Sequence, residues 1–147
     1  MSALILKPLH VGISIANMPE AICWYQEMLG FELQWCKDFP ELKTKIAFLK
    51  HADFEIELFE HYESLPLPEE RLWPKTDLQT QGTKHIAFAT NDIEALFETF
   101  KTKNVDIVFG PVESPPKDAL FGFIRDSSGV LIEFIQKKLI RYDKSVQ

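Results

Sequence analysis

The chain has 147 residues, 46% of them hydrophobic, which is enough to bury an ordinary core and excludes a mainly disordered polymer. A formal charge of −6, with no Lys/Arg run before Lys137–Lys138, sets nucleic acid aside as a partner, because its phosphates would be repelled. No apolar stretch approaches the roughly 18–20 residues of a membrane helix, and M-S-A-L-I-L-K-P lacks the parts of a secretory signal, so the expected location is the cytoplasm with no membrane partner.

The first strand-like stretch, L-H-V-G-I-S-I at 9–15, alternates. Val11, Ile13 and Ile15 share one face, and His10, Gly12 and Ser14 the other, because successive side chains of a strand point to opposite sides. The next segment, N-M-P-E-A-I-C-W-Y-Q-E-M-L-G, reads as a helix with Asn17 as cap, Pro19 in the first turn, Glu20 at the capping-box position and Gly30 as terminator. Its stripe of Met18, Ala21, Ile22, Tyr25 and Leu29 would cover the Val11 face. Strands are expected over 31–36, 44–49 and 54–59.

After a proline-bearing stretch at 62–81, longer than ordinary connections, the plan repeats. T-K-H-I-A-F-A-T-N-D places His85 with Ala87 and Ala89 on one face and Ile86 with Phe88 on the other. Asn91 with Glu94 reads as a capping box for a helix with the stripe Ile93, Leu96, Phe97 and Phe100, and strands follow over 106–109, 119–125 and 130–136. The expected fold is α+β, one domain over 1–147 built from βαβββ modules at 8–61 and 82–137, with a linker at 62–81 and a solvated tail at 138–147. Cys23 and Cys36 lack metal-ligand spacing and read as buried or edge thiols, His51 and His61 as surface residues, and Trp73 as a loop anchor or part of a lid.

The last strand of each half holds an acid where a core strand should be apolar. Glu55 and Glu57 share one face of F-E-I-E-L-F, and Glu133 is embedded in V-L-I-E-F-I-Q. A buried, unpaired carboxylate costs several kcal/mol or neutralises itself, so such an acid needs a partner, commonly a cation or metal. Glu57 follows His10 by 47 positions and Glu133 follows His85 by 48, so the repeat carries its His and Glu alike. Two neutral imidazoles and two carboxylates bring a charge of −2, which suits a divalent Ni, Co, Zn, Mn or Fe ion, and four ligands in an octahedral shell leave two positions for water or a bidentate substrate. Phe48, Phe121 and Phe123 are candidates to line an apolar pocket beside such an ion, with Arg125 as a further substrate-binding candidate.

H-V-G-I-S-I, the helix ending Y-Q-E-M-L-G-F, the strand I-E-L-F, K-H-I-A-F and the closing F-I-R-D-S-S-G-V-L-I-E-F together resemble the vicinal oxygen chelate superfamily of glyoxalase I, bleomycin-resistance proteins and extradiol dioxygenases. The resemblance implies paired βαβββ modules forming a U-shaped mixed sheet around a metal held by His10, Glu57, His85 and Glu133, and commonly a homodimer. A His/Glu/His/Glu set is similar to bacterial-type glyoxalase I, with the epimerase branch close by. It implies a lyase or isomerase whose small-molecule substrate binds through adjacent oxygens and passes through an enediolate, with Glu133 as the base and Glu57 as the second catalytic carboxylate. Two other readings stand beside it: a non-catalytic, antibiotic-sequestering binder of the bleomycin-resistance type, and an extradiol-type dioxygenase, against which the fourth ligand argues. D-S-S-G at 126–129 departs from the D-P-D-G common in glyoxalase I proteins, and no basic cluster beyond Arg125 and Lys117 offers itself to glutathione carboxylates.

Overall fold

The computed structural model describes residues 4–138, so most of the expected tail lies outside the described residues. The chain divides into two compact units after Pro66, which assigns most of the expected linker to the second unit.

In unit 1 the elements are β1 (His10–Ser14), α1 (Met18–Leu29), β2 (Glu32–Phe39), β3 (Thr44–His51) and β4 (Phe54–His61). The sheet runs β1-β4-β3-β2, with β1 parallel to β4 and the other pairs antiparallel. A parallel neighbour needs a crossover, and α1 begins it. Asn17 caps α1 as its sequence predicts, its side chain accepting the Glu20 N–H at 2.9 Å, and Gly30 ends it at φ 71°, a left-handed position that glycine adopts without penalty. The core is the face with Ile13, Ala47, Leu49, Ile56 and Leu58, together with Met18, Ala21 and Tyr25 of α1, all at most 5% exposed. Strand β2 extends three residues beyond the expected 36, because its antiparallel ladder with β3 continues to Phe39 although nearly every residue on it is exposed.

Unit 2 repeats the plan with β5 (Ile86–Ala89), α3 (Ile93–Thr102), β6 (Asp106–Glu113), β7 (Ala119–Arg125) and β8 (Leu131–Lys137), in the order β5-β8-β7-β6 with β5 parallel to β8. Its core joins Ile124, Ile132 and Phe134 of the sheet to Ile93, Phe97 and Phe100 of α3, with Phe100 and Phe134 ring centroids 5.2 Å apart. Gly122 makes this packing possible: a Cβ there would stand 2.5 Å from the Phe97 ring. The turn before β8 is organised by Asp126, which accepts the N–H groups of Ser128 and Val130 at 2.8 and 2.9 Å, so D-S-S-G is an Asx-type turn that needs no proline.

The helix cap of the second half differs from expectation. α3 starts at Ile93, and the cap is Asp92, not Asn91; its carboxylate accepts the Ala95 N–H at 3.0 Å, which removes Glu94 from the capping-box position. The register is fixed from the sheet, because Gln136 of β8 accepts the Ile93 N–H at 2.7 Å, just as Glu60 of β4 accepts the Met18 N–H at 2.5 Å in unit 1. Cys23 and Cys36 are free and exposed; neither is buried, and Cys36 is the edge thiol expected, on edge strand β2. Asp92→Ala should therefore lower stability by about 1 kcal/mol in urea unfolding, while Asn91→Ala should change it by a few tenths at most.

Candidate functional site

The His and Glu of each half are joined by the same device. In unit 1, Gly12 stands opposite Glu57 on the parallel strand, and His10 stands opposite Glu55. Glu57 nevertheless reaches diagonally to the histidine, its Oε2 lying 3.1 Å from His10 Nε2, while the space a side chain on Gly12 would take is bounded by the Phe59 ring, 3.0 Å from where its Cβ would stand. Of the two acids on that face it is Glu57 that meets the histidine. In unit 2, Ala87 stands opposite Glu133, and Glu133 Oε2 lies 3.1 Å from the Nε2 of His85, two residues earlier. The side chains are equally sheltered, 30% and 19% exposed for His10 and Glu57, 29% and 16% for His85 and Glu133. A small residue stands two positions after each histidine and opposite each glutamate.

Each pair is a charge-assisted hydrogen bond when the imidazole carries two protons, and a two-donor chelate when it is neutral. Two ligand atoms about 2.1 Å from one ion and at right angles stand about 3.0 Å apart, so the observed spacing fits a first-row divalent ion with little movement. One nitrogen and one oxygen per unit is also the chemistry such ions select. Among the described residues no group of three or more His, Cys, Asp and Glu side chains gathers where an ion could be held, so each unit presents two donors.

Aromatic rings flank both pairs. Phe48 pairs in register with Glu57 and meets the His10 ring edge-on, centroids 5.1 Å apart; Phe123 pairs with Glu133 and meets His85 in the same way at 4.9 Å. Trp35 backs Phe48 and Phe109 backs Phe123. The sequence reading passed over Trp35 and Phe109, although their shared place on the first strand after each helix was open to comparison through the repeat.

His85 and Glu133 open onto a cavity of about 340 Å³ in unit 2. Phe109, Phe121 and Phe123 form its apolar wall, and Pro74, Lys75 and Leu78 close another side. A second cavity of about 250 Å³ shares Glu133 and Phe121 and is bounded by the turn holding Pro115 and Pro116. Phe121 and Phe123 therefore line the same cavity as His85 and Glu133. Arg125 has a different engagement: its guanidinium bonds both Asp106 carboxylate oxygens at 3.1 and 3.2 Å and the Leu72 carbonyl at 2.9 Å, and lies 4.4 Å over the Trp73 ring. Trp73 is an anchor of the connecting segment through this contact.

That segment is tied by a carboxylate the sequence does not single out. It contains a 3-10 turn, Glu69–Leu72, and the four-residue helix α2, Pro74–Asp77. Asp77 is 1% exposed, and its Oδ1 accepts from Arg71 Nε at 3.0 Å and Lys84 Nζ at 3.2 Å. Arg71 also bonds the Thr83 carbonyl at 2.5 Å, and Lys84 the carbonyls of Asp77, at 2.6 Å, and Thr80. The residue before His85 is thereby fixed to the cavity wall. Away from both pairs, a hydrogen bond to Glu27 raises the Cys23 thiol above its ordinary range, and one to Asp38 raises the Tyr62 phenol.

A family model described as the Glyoxalase/Bleomycin resistance protein/Dioxygenase superfamily matches residues 7–134. A lactoylglutathione lyase of Haemophilus influenzae is 30% identical over 141 residues, covering 90% of this chain and 94% of its own. Among solved structures, a glyoxalase family protein from Enterococcus faecalis superposes with a TM-score of 0.76 at 22% identity, over 88% of this chain and 96% of that one. Glyoxalase I from Zea mays superposes with a TM-score of 0.71 at 26% identity, over 88% of this chain and 44% of that one.

Removing the central anion of the knot leaves two cations without their partner. Asp77→Ala should destabilise the protein by about 3 kcal/mol in denaturant unfolding, far more than a surface carboxylate such as Glu98.

Proposed function

The chain belongs to the glyoxalase/bleomycin resistance protein/dioxygenase superfamily, and from that premise we propose that it is a metal-dependent, glyoxalase I-like lyase or isomerase acting on a small molecule with adjacent oxygens. The observation that carries the reading is the duplicated His–Glu pair, at 3.1 Å in each unit and with partly buried side chains. The lactoylglutathione lyase name of the Haemophilus relative favours the lyase branch. Among the described residues no helix is long and apolar enough to cross a membrane, and the reading places the enzyme in the cytoplasm as a homodimer.

In this reading His10, Glu57, His85 and Glu133 would hold one divalent ion, Ni, Co, Zn, Mn or Fe. Held by these residues, such an ion would supply electrostatic stabilisation of negative charge developing on the substrate oxygens. Glu133 takes the proton from one carbon and returns it to its neighbour, so the substrate is isomerised and no oxidant or reductant is consumed. Glu57 stands ready as the second carboxylate. Phe121 and Phe123 exclude water from the reacting carbons, which keeps the carboxylate's proton from exchanging with solvent. The four-donor set disfavours the dioxygenase reading, because oxygen chemistry at a two-His, one-carboxylate centre needs a more open face. A metal-free sequestering protein would keep the apolar cavity and give the two pairs no common task.

Protein purified without chelator should carry about one transition-metal ion per chain by elemental analysis, and should convert the hemithioacetal of glutathione and methylglyoxal or a related hydroxycarbonyl. Glu133→Gln, assayed at saturating metal, should lower kcat by about 10²–10⁴-fold while the fold is retained by circular dichroism. Absence of bound metal, together with no thermal stabilisation by added Ni, Co, Mn or Zn, would overturn the reading in favour of a sequestering protein.

A further inference from the structure

An imidazole on the uncovered face of a sheet has few neighbours to fix its ring, and a metal ligand that rotates freely binds weakly. Both histidines of this chain have the same neighbour. His10 meets Phe48 at a centroid distance of 5.1 Å and an interplanar angle of 83°, and His85 meets Phe123 at 4.9 Å and 84°. In each unit that phenylalanine is the register partner of the very glutamate that the histidine faces, Phe48 with Glu57 and Phe123 with Glu133. In register the glutamate therefore has a small residue on one side and a phenylalanine on the other. Behind each phenyl lies one more ring, Trp35 at 5.0 Å and Phe109 at 5.4 Å, so each phenyl is itself held in place. Two rows of three rings have arisen at equivalent strand positions with nearly equal distances and angles, although the outer ring is an indole in one row and a phenyl in the other.

We propose that Phe48 and Phe123 are positioning residues that fix the imidazole planes of His10 and His85, so that each Nε2 is aimed at its glutamate before any ion arrives. This rests on the metal reading above and assigns the two rings a task in addition to shaping a pocket. The packing of ring edge against ring face is directional, which a branched aliphatic side chain of similar volume does not reproduce. A phenyl that served only as apolar cover would be replaceable by leucine without consequence for the histidine.

The test uses the full chain with Phe48→Leu, Phe123→Leu, their combination, and the conservative Phe48→Tyr and Phe123→Tyr. The affinity for Ni²⁺ alone is read by competition with a chromophoric chelator, and the order of the imidazole rings in metal-free protein by nitrogen-15 NMR. Each leucine variant should bind Ni²⁺ about tenfold more weakly and lose ring order at its own histidine only, with the tyrosine variants near wild type. Phe123 is 4% exposed and Phe48 is half-buried, so Phe48→Leu keeps the comparison available should Phe123→Leu unfold. Wild-type ring order and Ni²⁺ affinity in Phe48→Leu would overturn the proposal while leaving the metal reading intact. A wild-type protein that binds no Ni²⁺ would instead remove the metal reading, and this inference with it.

Discussion

A carboxylate set in the middle of an apolar strand has to be neutralised, paired or solvated, and in both units of this protein the partner is an imidazole on the neighbouring parallel strand. A small residue accompanies the pair in each unit. Gly12 and Ala87 stand directly opposite the glutamates, and each acid reaches diagonally to the histidine two residues before that small residue. The pairing also demands parallel strands in a fixed register, since a slip of one residue would turn the acid into the core. The rest of each unit can be read as what holds that register.

The helix is the principal part of that support. A single helix per unit packs on one face of a four-stranded sheet, and the His–Glu pair stands on the other. It is seated by its own cap, Asn17 or Asp92, and by a side chain from the strand that carries the glutamate, Glu60 or Gln136, which accepts the first helical N–H. The same strand thus places the acid on one face and locks the helix on the other, three residues later. A shift of β4 or β8 would disturb helix and site together. Unit 2 adds a further constraint that unit 1 lacks: the segment before His85 is knotted around buried Asp77, and it forms part of the cavity wall onto which His85 and Glu133 open.

Much of this was legible in the sequence. Alternation and helical period identify β1, α1, β7 and the repeated order of elements, and the near-equal spacing of His10 to Glu57 and His85 to Glu133 identifies the pairs. Other features were hidden for physical reasons. Asn91 and Asp92 are equally good caps by type, and the choice between them is made by Gln136, which is remote in sequence. Asp77 gives no local signal, because its cations lie on either side within an irregular segment. Arg125 looks like a free cation on a site-bearing strand, yet Asp106, Trp73 and the Leu72 carbonyl claim it. The orientation of Phe48 and Phe123 toward imidazole rings depends on cross-strand register, which composition does not reveal.

The account turns on both His–Glu pairs serving one cation, and crystals grown with Ni²⁺ and measured at the nickel absorption edge address that claim most directly. The expected result is a single strong anomalous peak bonded to the Nε2 atoms of His10 and His85 and to carboxylate oxygens of Glu57 and Glu133. Peaks at one pair alone, or no peak with both histidines still hydrogen-bonded to their glutamates, would contradict it.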